Sequence, residues 1–378
     1  MKVYQGSRDA AGKWQHLGAK DTTFKPQLIF VFANRYLLED PETINEVRAM
    51  YNDADIVFAS SAGEVMGTTV RDSSLTYCAI AFEKSHHKIF RVNIMDHDKD
   101  SLRAGEALCA KIDKESLAHV FVISEGSNVN GSALIEGLER DLDTGIAITG
   151  GLCGDDARFE RTLAGVNEIP QEGEIIAIGL YGDSLEVSFS NYGGWQPFGP
   201  ERIVTKSAGN VLYELDDKPA LDLYKTYLGD KASQLPQASL FYPLSVRIEG
   251  KENPLVRTIL NIEEESNTMI LAGDIPMNSS VQLMMANVDG IVDGAMQAAQ
   301  QSMNNRQSSP ELAIVVSCIG RKLVMDQRVE EEIEEVSLVM GKDVPITGFY
   351  SYGEMAPFAG ERNCELHNQT MTLTLISE

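Results

Sequence analysis

Residues 28–64 carry the pattern that sets the architecture: Leu28-Ile29-Phe30-Val31-Phe32, then Ile56-Val57-Phe58-Ala59, then Ser60-Ser61-Ala62-Gly63-Glu64. An apolar strand is followed by a helix and a second apolar strand, which stops in a turn that ends in a glycine and an acid. Asp40 and Pro41 mark the start of the helix, since aspartate caps helices and proline is favourable at the first helical position. The segment therefore predicts a β-α-β-turn unit.

The unit occurs three times, and internal repeats of this kind define an architecture. The second copy has strands at 119–123 and 146–149 and ends in Gly150-Gly151-Leu152-Cys153-Gly154-Asp155. The third has strands at 312–316 and 344–347 and ends in Gly348-Phe349-Tyr350-Ser351-Tyr352-Gly353-Glu354. Glycines at a strand end leave the backbone open to a ligand. We therefore predict that the three turns enclose a shared cleft.

Strands that alternate with helices, several of them joined by short turns, indicate a layered α/β fold with mixed sheets. We predict two layered mixed-sheet domains built from repeated β-α-β-turn-β units. The first domain, residues 1–225, opens with an irregular lead-in over residues 1–26, with room for a short edge strand. The second domain covers residues 226–378. The boundary follows a cluster of glycine, proline and aromatic residues at 192–200.

Composition narrows the classes of partner and compartment. The formal net charge is −24, and a surface of this sign repels phosphates, so nucleic acid and anionic membrane are poor partners. No run of about 18 apolar residues occurs, and residues 1–20 show no secretory signal. The five cysteines have no metal-binding or redox spacing. We therefore predict a cytoplasmic protein with reduced thiols.

The three turns supply the first candidate site. A carboxylate beside open backbone amides suits an ammonium group or a cation. The alternative is a tight turn whose acid caps a neighbouring backbone amide. The predicted ligand-binding residues are Gly63, Glu64, Gly154, Asp155, Tyr352, Gly353, Glu354 and, after the third turn, Asn368.

His367 follows the third turn closely enough in sequence to share its pocket. A neutral imidazole is a good ligand for iron, so His367 is the candidate metal ligand and haem the candidate cofactor. The aromatic walls of such a pocket would come from Phe349, Tyr350, Tyr352 and Phe358. A lone histidine is also a common structural residue, and a non-haem ligand held by the three acids is the other possibility.

No catalytic residue is predicted. The chain has no Gly-x-Ser-x-Gly elbow, Walker loop or His-Glu-x-x-His helix. An enzyme that uses the acids of the three turns as general acid and base is the alternative to a binding protein. The run of glutamates at 330–335 is typical of a solvated helix face.

Three segments carry a family resemblance. They are Ser61-Ala62-Gly63-Glu64; Gly194-Trp195-Gln196-Pro197-Phe198-Gly199-Pro200 with the stretch 204–224; and Tyr352-Gly353-Glu354-Met355-Ala356-Pro357 with Leu366-His367-Asn368-Gln369-Thr370. In this order they resemble the signatures of the FIST proteins, whose N-terminal and C-terminal domains together cover nearly all of the chain.

The resemblance implies a sensory, small-ligand-binding module of bacterial signal transduction. Members are often found with histidine kinases or cyclic-di-nucleotide enzymes, and amino-acid-like ligands have been proposed for them. A subset, the NosP proteins, is associated with haem and nitric oxide sensing. No kinase, cyclase or receiver segment follows Glu378 in this sequence, so we expect signalling through a separate partner of one of these kinds.

Overall fold

The computed structural model describes residues 1–17, 24–143 and 145–378. These residues form a body, which contains three six-stranded sheets, and a lobe, which contains one eight-stranded sheet. Three consecutive units of the chain build the body, and the lobe is inserted into the third unit. Part of the predicted irregular lead-in, residues 18–23, lies outside the described residues.

The first unit contains the β-α-β-turn pattern of residues 28–64. Asp40 caps the helix as predicted, since its carboxylate accepts hydrogen bonds from the amides of Glu42 and Thr43. The start of the predicted lead-in is instead a regular strand that pairs along its length with the last strand of the unit. The elements are β1 (Lys2–Arg8), β2 (Trp14–Leu17), β3 (Leu28–Ala33), α1 (Arg35–Leu38), α2 (Pro41–Met50), β4 (Asp55–Ser60), β5 (Glu64–Met66), β6 (Thr69–Arg71) and β7 (Leu75–Ala81).

The second unit repeats this order with an additional helix after its first strand. Its elements are β8 (His86–Asn93), α3 (Ser101–Lys111), β9 (Leu117–Ser124), α4 (Gly131–Glu139), β10 (Ala147–Leu152), β11 (Ala164–Val166) and β12 (Glu174–Tyr181). The third unit begins with β13 (Glu186–Tyr192), and the chain then enters the lobe.

The lobe is a twisted sheet with one helix packed on it. Its elements are β14 (Gln196–Ala208), β15 (Val211–Leu215), β16 (Lys218–Pro219), α5 (Ala220–Leu228), β17 (Leu244–Arg247), β18 (Leu255–Arg257), β19 (Ile259–Glu263), β20 (Thr268–Leu271) and β21 (Ser280–Met285). The domain boundary that we predict between residues 225 and 226 falls inside α5 and stays a prediction.

The chain then returns to the body and completes the third unit. The elements are α6 (Val288–Met303), β22 (Leu312–Cys318), α7 (Ile319–Met325), α8 (Glu330–Met340), β23 (Ile346–Ser351), β24 (Gly353–Pro357), β25 (Cys364–His367) and β26 (Met371–Ser377). Within the described residues, no helix combines the length and hydrophobicity that crossing a bilayer requires.

The three sheets of the body share one strand order: β4-β3-β7-β1, β10-β9-β12-β8 and β23-β22-β26-β13. In each, a central strand has a parallel neighbour on one side and an antiparallel neighbour on the other. Each unit also passes strands to another sheet, because β5 pairs with β23, β24 with β10 and β11 with β4. The short strands β6 and β25 accompany β5 and β24. This exchange closes a ring of three repeats. The predicted layered α/β class with mixed sheets is confirmed.

The inner faces of the three sheets pack against one another in the centre of the body. The ring centroids of Phe30 and Phe121 are 5.6 Å apart, and those of Phe32 and Phe349 are 4.8 Å apart. Helices α3 and α4 cover the outer face of the second sheet, and α6 and α8 cover that of the third. Apolar burial on both faces explains why the paired strands read as continuous hydrophobic runs.

Candidate functional site

The three turns meet at one junction. We define them as turn 1 (residues 60–64), turn 2 (152–155) and turn 3 (350–354). The amide of Gly154 donates to the carbonyl of Ser60 at 3.0 Å, the amide of Ala62 to that of Tyr350 at 2.8 Å, and the amide of Tyr352 to that of Leu152 at 3.2 Å. A Cβ on Gly154 would lie only 2.7 Å from the amide nitrogen of Ala62. The turns therefore contact one another directly, and the junction is packed rather than the wall of a shared cleft.

The acids of turns 1 and 3 have matching surroundings. The carboxylate of Glu64 accepts hydrogen bonds from the hydroxyls of Ser61 at 2.5 Å and Ser74 at 2.6 Å, and from the Ser74 amide at 3.3 Å. Glu354 accepts from the hydroxyls of Ser351 at 2.6 Å and Thr370 at 3.0 Å, and the Thr370 amide lies at 3.3 Å. Both side chains are fully buried. Each acid thus bridges its own turn to the start of the last strand of its unit.

Burial governs the protonation of these two acids. It raises the pKa of Glu64 to about 8 and that of Glu354 to about 8, and the hydroxyl donors offset only part of this shift. A carboxyl with so high a pKa is largely neutral at neutral pH and is a poor partner for an ammonium group. Their role as ligand-binding residues stays a prediction that this geometry does not favour.

The raised pKa values predict a stability that falls as pH rises. Between about pH 4.5 and pH 8 the folded protein holds a proton that the unfolded chain releases, so each carboxyl removes about 1.4 kcal/mol of unfolding free energy per pH unit. Glu354→Gln removes the contribution of Glu354 and leaves that of Glu64. In urea unfolding from pH 5 to pH 9, the free energy of unfolding of the variant, relative to that of the wild type, is expected to rise up to about pH 8. A difference that stays constant across the series, as expected for the exposed control Glu334→Gln, would contradict the account.

The acid of turn 2 is an anchor for the loop that follows it. Asp155 is fully buried and accepts hydrogen bonds from Arg35 Nε at 3.0 Å and from Arg158 Nε at 2.9 Å. The guanidinium groups of both arginines lie 4.7 Å from the ring centre of Tyr36. The carboxylate is thus already paired with two cations, and it fixes the course of residues 155–161.

A cavity of about 380 Å³ lies beside the junction, between the body and the lobe. The body contributes residues 126–131, which lead into α4, together with Leu152, Phe159, Glu160 and Tyr352. The lobe contributes Asn210, Leu260 and residues 271–273. Clefts between domains that combine apolar walls with a few polar groups are the usual sites for small ligands. This cavity is therefore the candidate functional site.

Tyr352 is the predicted site residue that this cavity contains. Its ring stacks on that of Phe159 at a centroid distance of 4.6 Å, and its hydroxyl accepts a hydrogen bond from the Phe159 amide at 3.1 Å. Sequence reasoning missed the loop 126–131 and the lobe residues. The polar sequence Ser127-Asn128-Val129-Asn130-Gly131 between a buried strand and a helix was the available signal, because strand-to-helix loops often bind ligands.

His367 and Asn368 lie elsewhere. His367 borders a second cavity, of about 350 Å³, whose polar wall includes Asn191, Asn253 and Gln301. Its Nε2 donates to the carbonyl of Ala356 at 2.8 Å, and burial lowers its pKa to about 4. Asn368 is fully buried, and its amide nitrogen donates to the carbonyl of His367 at 3.0 Å.

The predicted aromatic walls do not gather around His367. Phe349 packs on Phe32 in the centre of the body, Tyr350 donates its hydroxyl to Glu332 in the core of the third unit, and Tyr352 lines the first cavity. Phe358 does contact the imidazole, edge to face at 4.8 Å. The wall of the second cavity mixes apolar and polar groups. Since Nε2 of His367 already donates to the carbonyl of Ala356, a haem iron would have to bind Nδ1.

The cysteines do not form a common site. All five are free and buried, and they are divided among three parts of the core, with Cys109 and Cys364 in one, Cys78 and Cys153 in another and Cys318 in the third. Among the residues that the structure describes, no group of three or more potential metal ligands is arranged to hold an ion.

Family models match most of the chain. The FIST N domain matches residues 27–218, and the FIST C domain matches residues 220–357. The cavity therefore takes its body wall from both matched segments and its lobe wall largely from the second.

Two curated proteins with similar sequences are described as uncharacterized. A protein found in two strains of Mycobacterium tuberculosis is 23% identical over 64% of this chain and 63% of its own length. A protein of Methanocaldococcus jannaschii is 24% identical over 60% of this chain and 45% of its own length. The chain thus matches less than two thirds of the length of these relatives. A solved cyanuric acid hydrolase from A. caulinodans aligns over 93% of this chain and 90% of its own, with a TM-score of 0.33 and 8% identity, a likeness too low to support any conclusion.

Proposed function

This chain belongs to the FIST family, and from that premise we propose that it is a sensor whose cavity between body and lobe binds a small ligand. FIST domains are associated with small-ligand-binding sensors of signal transduction. The observation that carries the proposal is the composition of the cavity wall, to which both parts of the molecule contribute.

A ligand at this position touches two parts of the molecule that side-chain hydrogen bonds also join. Asn130 of the body donates to Asp274 of the lobe at 2.9 Å, and Arg257 of the lobe donates to the carbonyl of Leu366 at 2.7 Å. A molecule that binds both walls favours the arrangement in which the walls are correctly spaced. Ligand binding is thereby converted into a shift in lobe position, which another protein reads.

The proposal includes a cytoplasmic location and a separate signalling partner, either a histidine kinase or a cyclic-di-nucleotide enzyme. Five free cysteines support the location, because cytosolic proteins keep their thiols reduced. The kind of signalling partner is inferred from the family alone.

A thermal-shift screen against small metabolites, amino acids included, tests the proposal. A ligand present at a hundredfold excess over its dissociation constant adds about 2.7 kcal/mol to the free energy of unfolding. We expect at least one compound to raise the unfolding temperature by a few degrees and to do so in proportion to the logarithm of its concentration. A broad panel without any such compound, on protein shown to be folded, would count against a sensor of small metabolites.

A haem-based nitric oxide sensor is the second version of this proposal. It is motivated by the contact of Phe358 with His367 beside the second cavity. An absorption spectrum with added haem tests it: a Soret band that disappears in His367→Ala would favour it over the first version. The enzyme alternative has less support, since Glu64 and Glu354 are each enclosed by hydroxyls of their own unit.

A further inference from the structure

On opposite walls of the cavity between body and lobe, two asparagines each use only one of the two hydrogen-bonding atoms of the side-chain amide. Asn128 of the body accepts a hydrogen bond through Oδ1 from Lys99 at 2.9 Å, and Asn210 of the lobe donates through Nδ2 to the carbonyl of Leu271 at 2.8 Å. These partners fix which atom of each amide is oxygen and which is nitrogen. Within the described residues, Nδ2 of Asn128 and Oδ1 of Asn210 have no partner. One donor and one acceptor are therefore available to a ligand.

Phe159 supplies a flat apolar surface to the same cavity. Its side chain is 43% exposed, and that of Leu260, from the lobe, is 44% exposed. Phe159 has a φ of +54°, a conformation that costs energy for a bulky residue and is typical of functional sites. The Asp155–Arg158 ion pair and the Tyr352 hydroxyl hold the loop in this conformation. The ring is thus fixed in position although much of it is open to solvent.

The lining of the cavity offers a ligand no cation and one carboxylate that is already in an ion pair. Among the described residues that line it, the one charged side chain is Glu160, and its carboxylate pairs at 3.0 Å with Nη2 of Arg35, which also binds Asp155. Transfer of an unpaired carboxylate or ammonium into such a site is costly. A neutral ligand avoids this penalty.

We propose that the cavity selects a small, neutral, planar molecule whose edge carries an amide-type pair of N–H and C=O groups, as in a nucleobase or an aromatic carboxamide. Its ring stacks on Phe159, its carbonyl accepts from Asn128 Nδ2, and its N–H donates to Asn210 Oδ1. The inference rests on the proposed function and narrows its ligand class. A carboxylate offers acceptors alone and an ammonium donors alone, so neither satisfies both asparagines.

Benzamide, benzoate and benzylamine test the inference, because they share a ring and differ in charge and in hydrogen-bonding edge. In calorimetric titrations of the full chain, benzamide is expected to bind at least tenfold more tightly than the other two. Tighter binding of benzoate or benzylamine would overturn the inference and leave a ligand-binding protein. The inference is also overturned, and the proposed function kept, if none of the three binds while a compound of another class stabilises the protein in the metabolite screen. Failure of every compound would remove both the inference and the proposed function.

Variants on each wall locate the binding. Phe159→Ala and Asn210→Leu are each expected to weaken benzamide at least tenfold. Phe241→Ala is the matched control, since Phe241 is also 43% exposed but lies outside the lining of the cavity. Circular dichroism confirms folding, and Asn128→Leu, on the opposite wall, replaces Asn210→Leu if the latter does not fold. Unchanged affinity in the folded cavity variants would overturn the assignment.

Discussion

Replacing Arg321 with methionine is expected to lower the free energy of unfolding by about 3 to 5 kcal/mol. Arg321 on α7 and Glu332 on α8 are both fully buried, and two nitrogens of the guanidinium bind one carboxylate oxygen at 3.0 and 2.7 Å. The other oxygen accepts from the hydroxyls of Tyr350 at 2.5 Å and Ser317 at 3.1 Å. Removal of the guanidinium would leave a buried carboxylate without its cation. Urea unfolding of Arg321→Met measures the loss.

Two further variants distinguish the effect of breaking the buried ion pair from the effect of removing any arginine. Arg328→Met removes the pairs with Glu331 and Asp289, in which the arginine side chain is 46% exposed, and it is expected to cost far less than Arg321→Met. Adding Glu332→Gln to Arg321→Met removes the stranded charge, so the double variant is expected to recover part of the stability. If Arg321→Met is no more destabilising than Arg328→Met, the buried network does not hold α7 and α8 in place.

Gly150→Ala is expected to destabilise the protein by about 3 to 5 kcal/mol, the combined cost of a strained backbone and an overpacked site. Gly150 lies in β10 with a φ of +143°, and a Cβ there would lie 1.9 Å from the carbonyl oxygen of Val122 on the paired strand. The clash is with backbone, so no side-chain rotation relieves it. Thermal and urea unfolding measure the effect.

The repeat supplies a second test of the same contact. Gly348 occupies the corresponding place in β23, where a Cβ would lie 1.9 Å from the carbonyl oxygen of Val315. Gly348→Ala is expected to be destabilising to a similar degree. Gly145→Ala is the control, because no described residue other than its chain neighbour lies within 4 Å of its Cβ position. A Gly150→Ala variant as stable as Gly145→Ala would show that the two strands are not so closely paired.

Local pattern was enough to predict the repeat. The strands at 28–32, 119–123 and 312–316 are buried on both faces, and such strands appear in the sequence as unbroken apolar runs. The cap at Asp40 depends on two residues that follow it closely. The three turns were found for the same reason, since each contains its glycines and its acid within a few positions.

Pairings between distant segments were not predictable. The exchange of β5, β11 and β24 among the sheets joins units far apart in sequence, and no local pattern states which sheet a short strand joins. The cavity was not predictable for the same reason, because its walls come from distant segments. Asn130 and Asp274, which join the two walls, are 144 residues apart.

Glu332 shows the limit of reading charge alone. The expectation of a solvated face for the glutamates at 330–335 is wrong for this residue, which is fully buried. It lies four residues before Val336 and next to Ile333, on the buried face of α8. Its position in the helical period marked it as buried, whereas its charge suggested exposure. The partner that makes this burial tolerable, Arg321, lies on another helix.

The central claim is that a small ligand binds in the cavity between body and lobe. Calorimetric titration of the wild type, Leu260→Asp and Leu338→Asp with a ligand found in the metabolite screen tests this claim most directly. Both leucines are exposed, at 44% and 60%, but only Leu260 lines the cavity between body and lobe. The account predicts that Leu260→Asp weakens binding at least tenfold, a change of about 1.4 kcal/mol, and that Leu338→Asp binds as the wild type does. Wild-type affinity in Leu260→Asp would show that the ligand binds elsewhere.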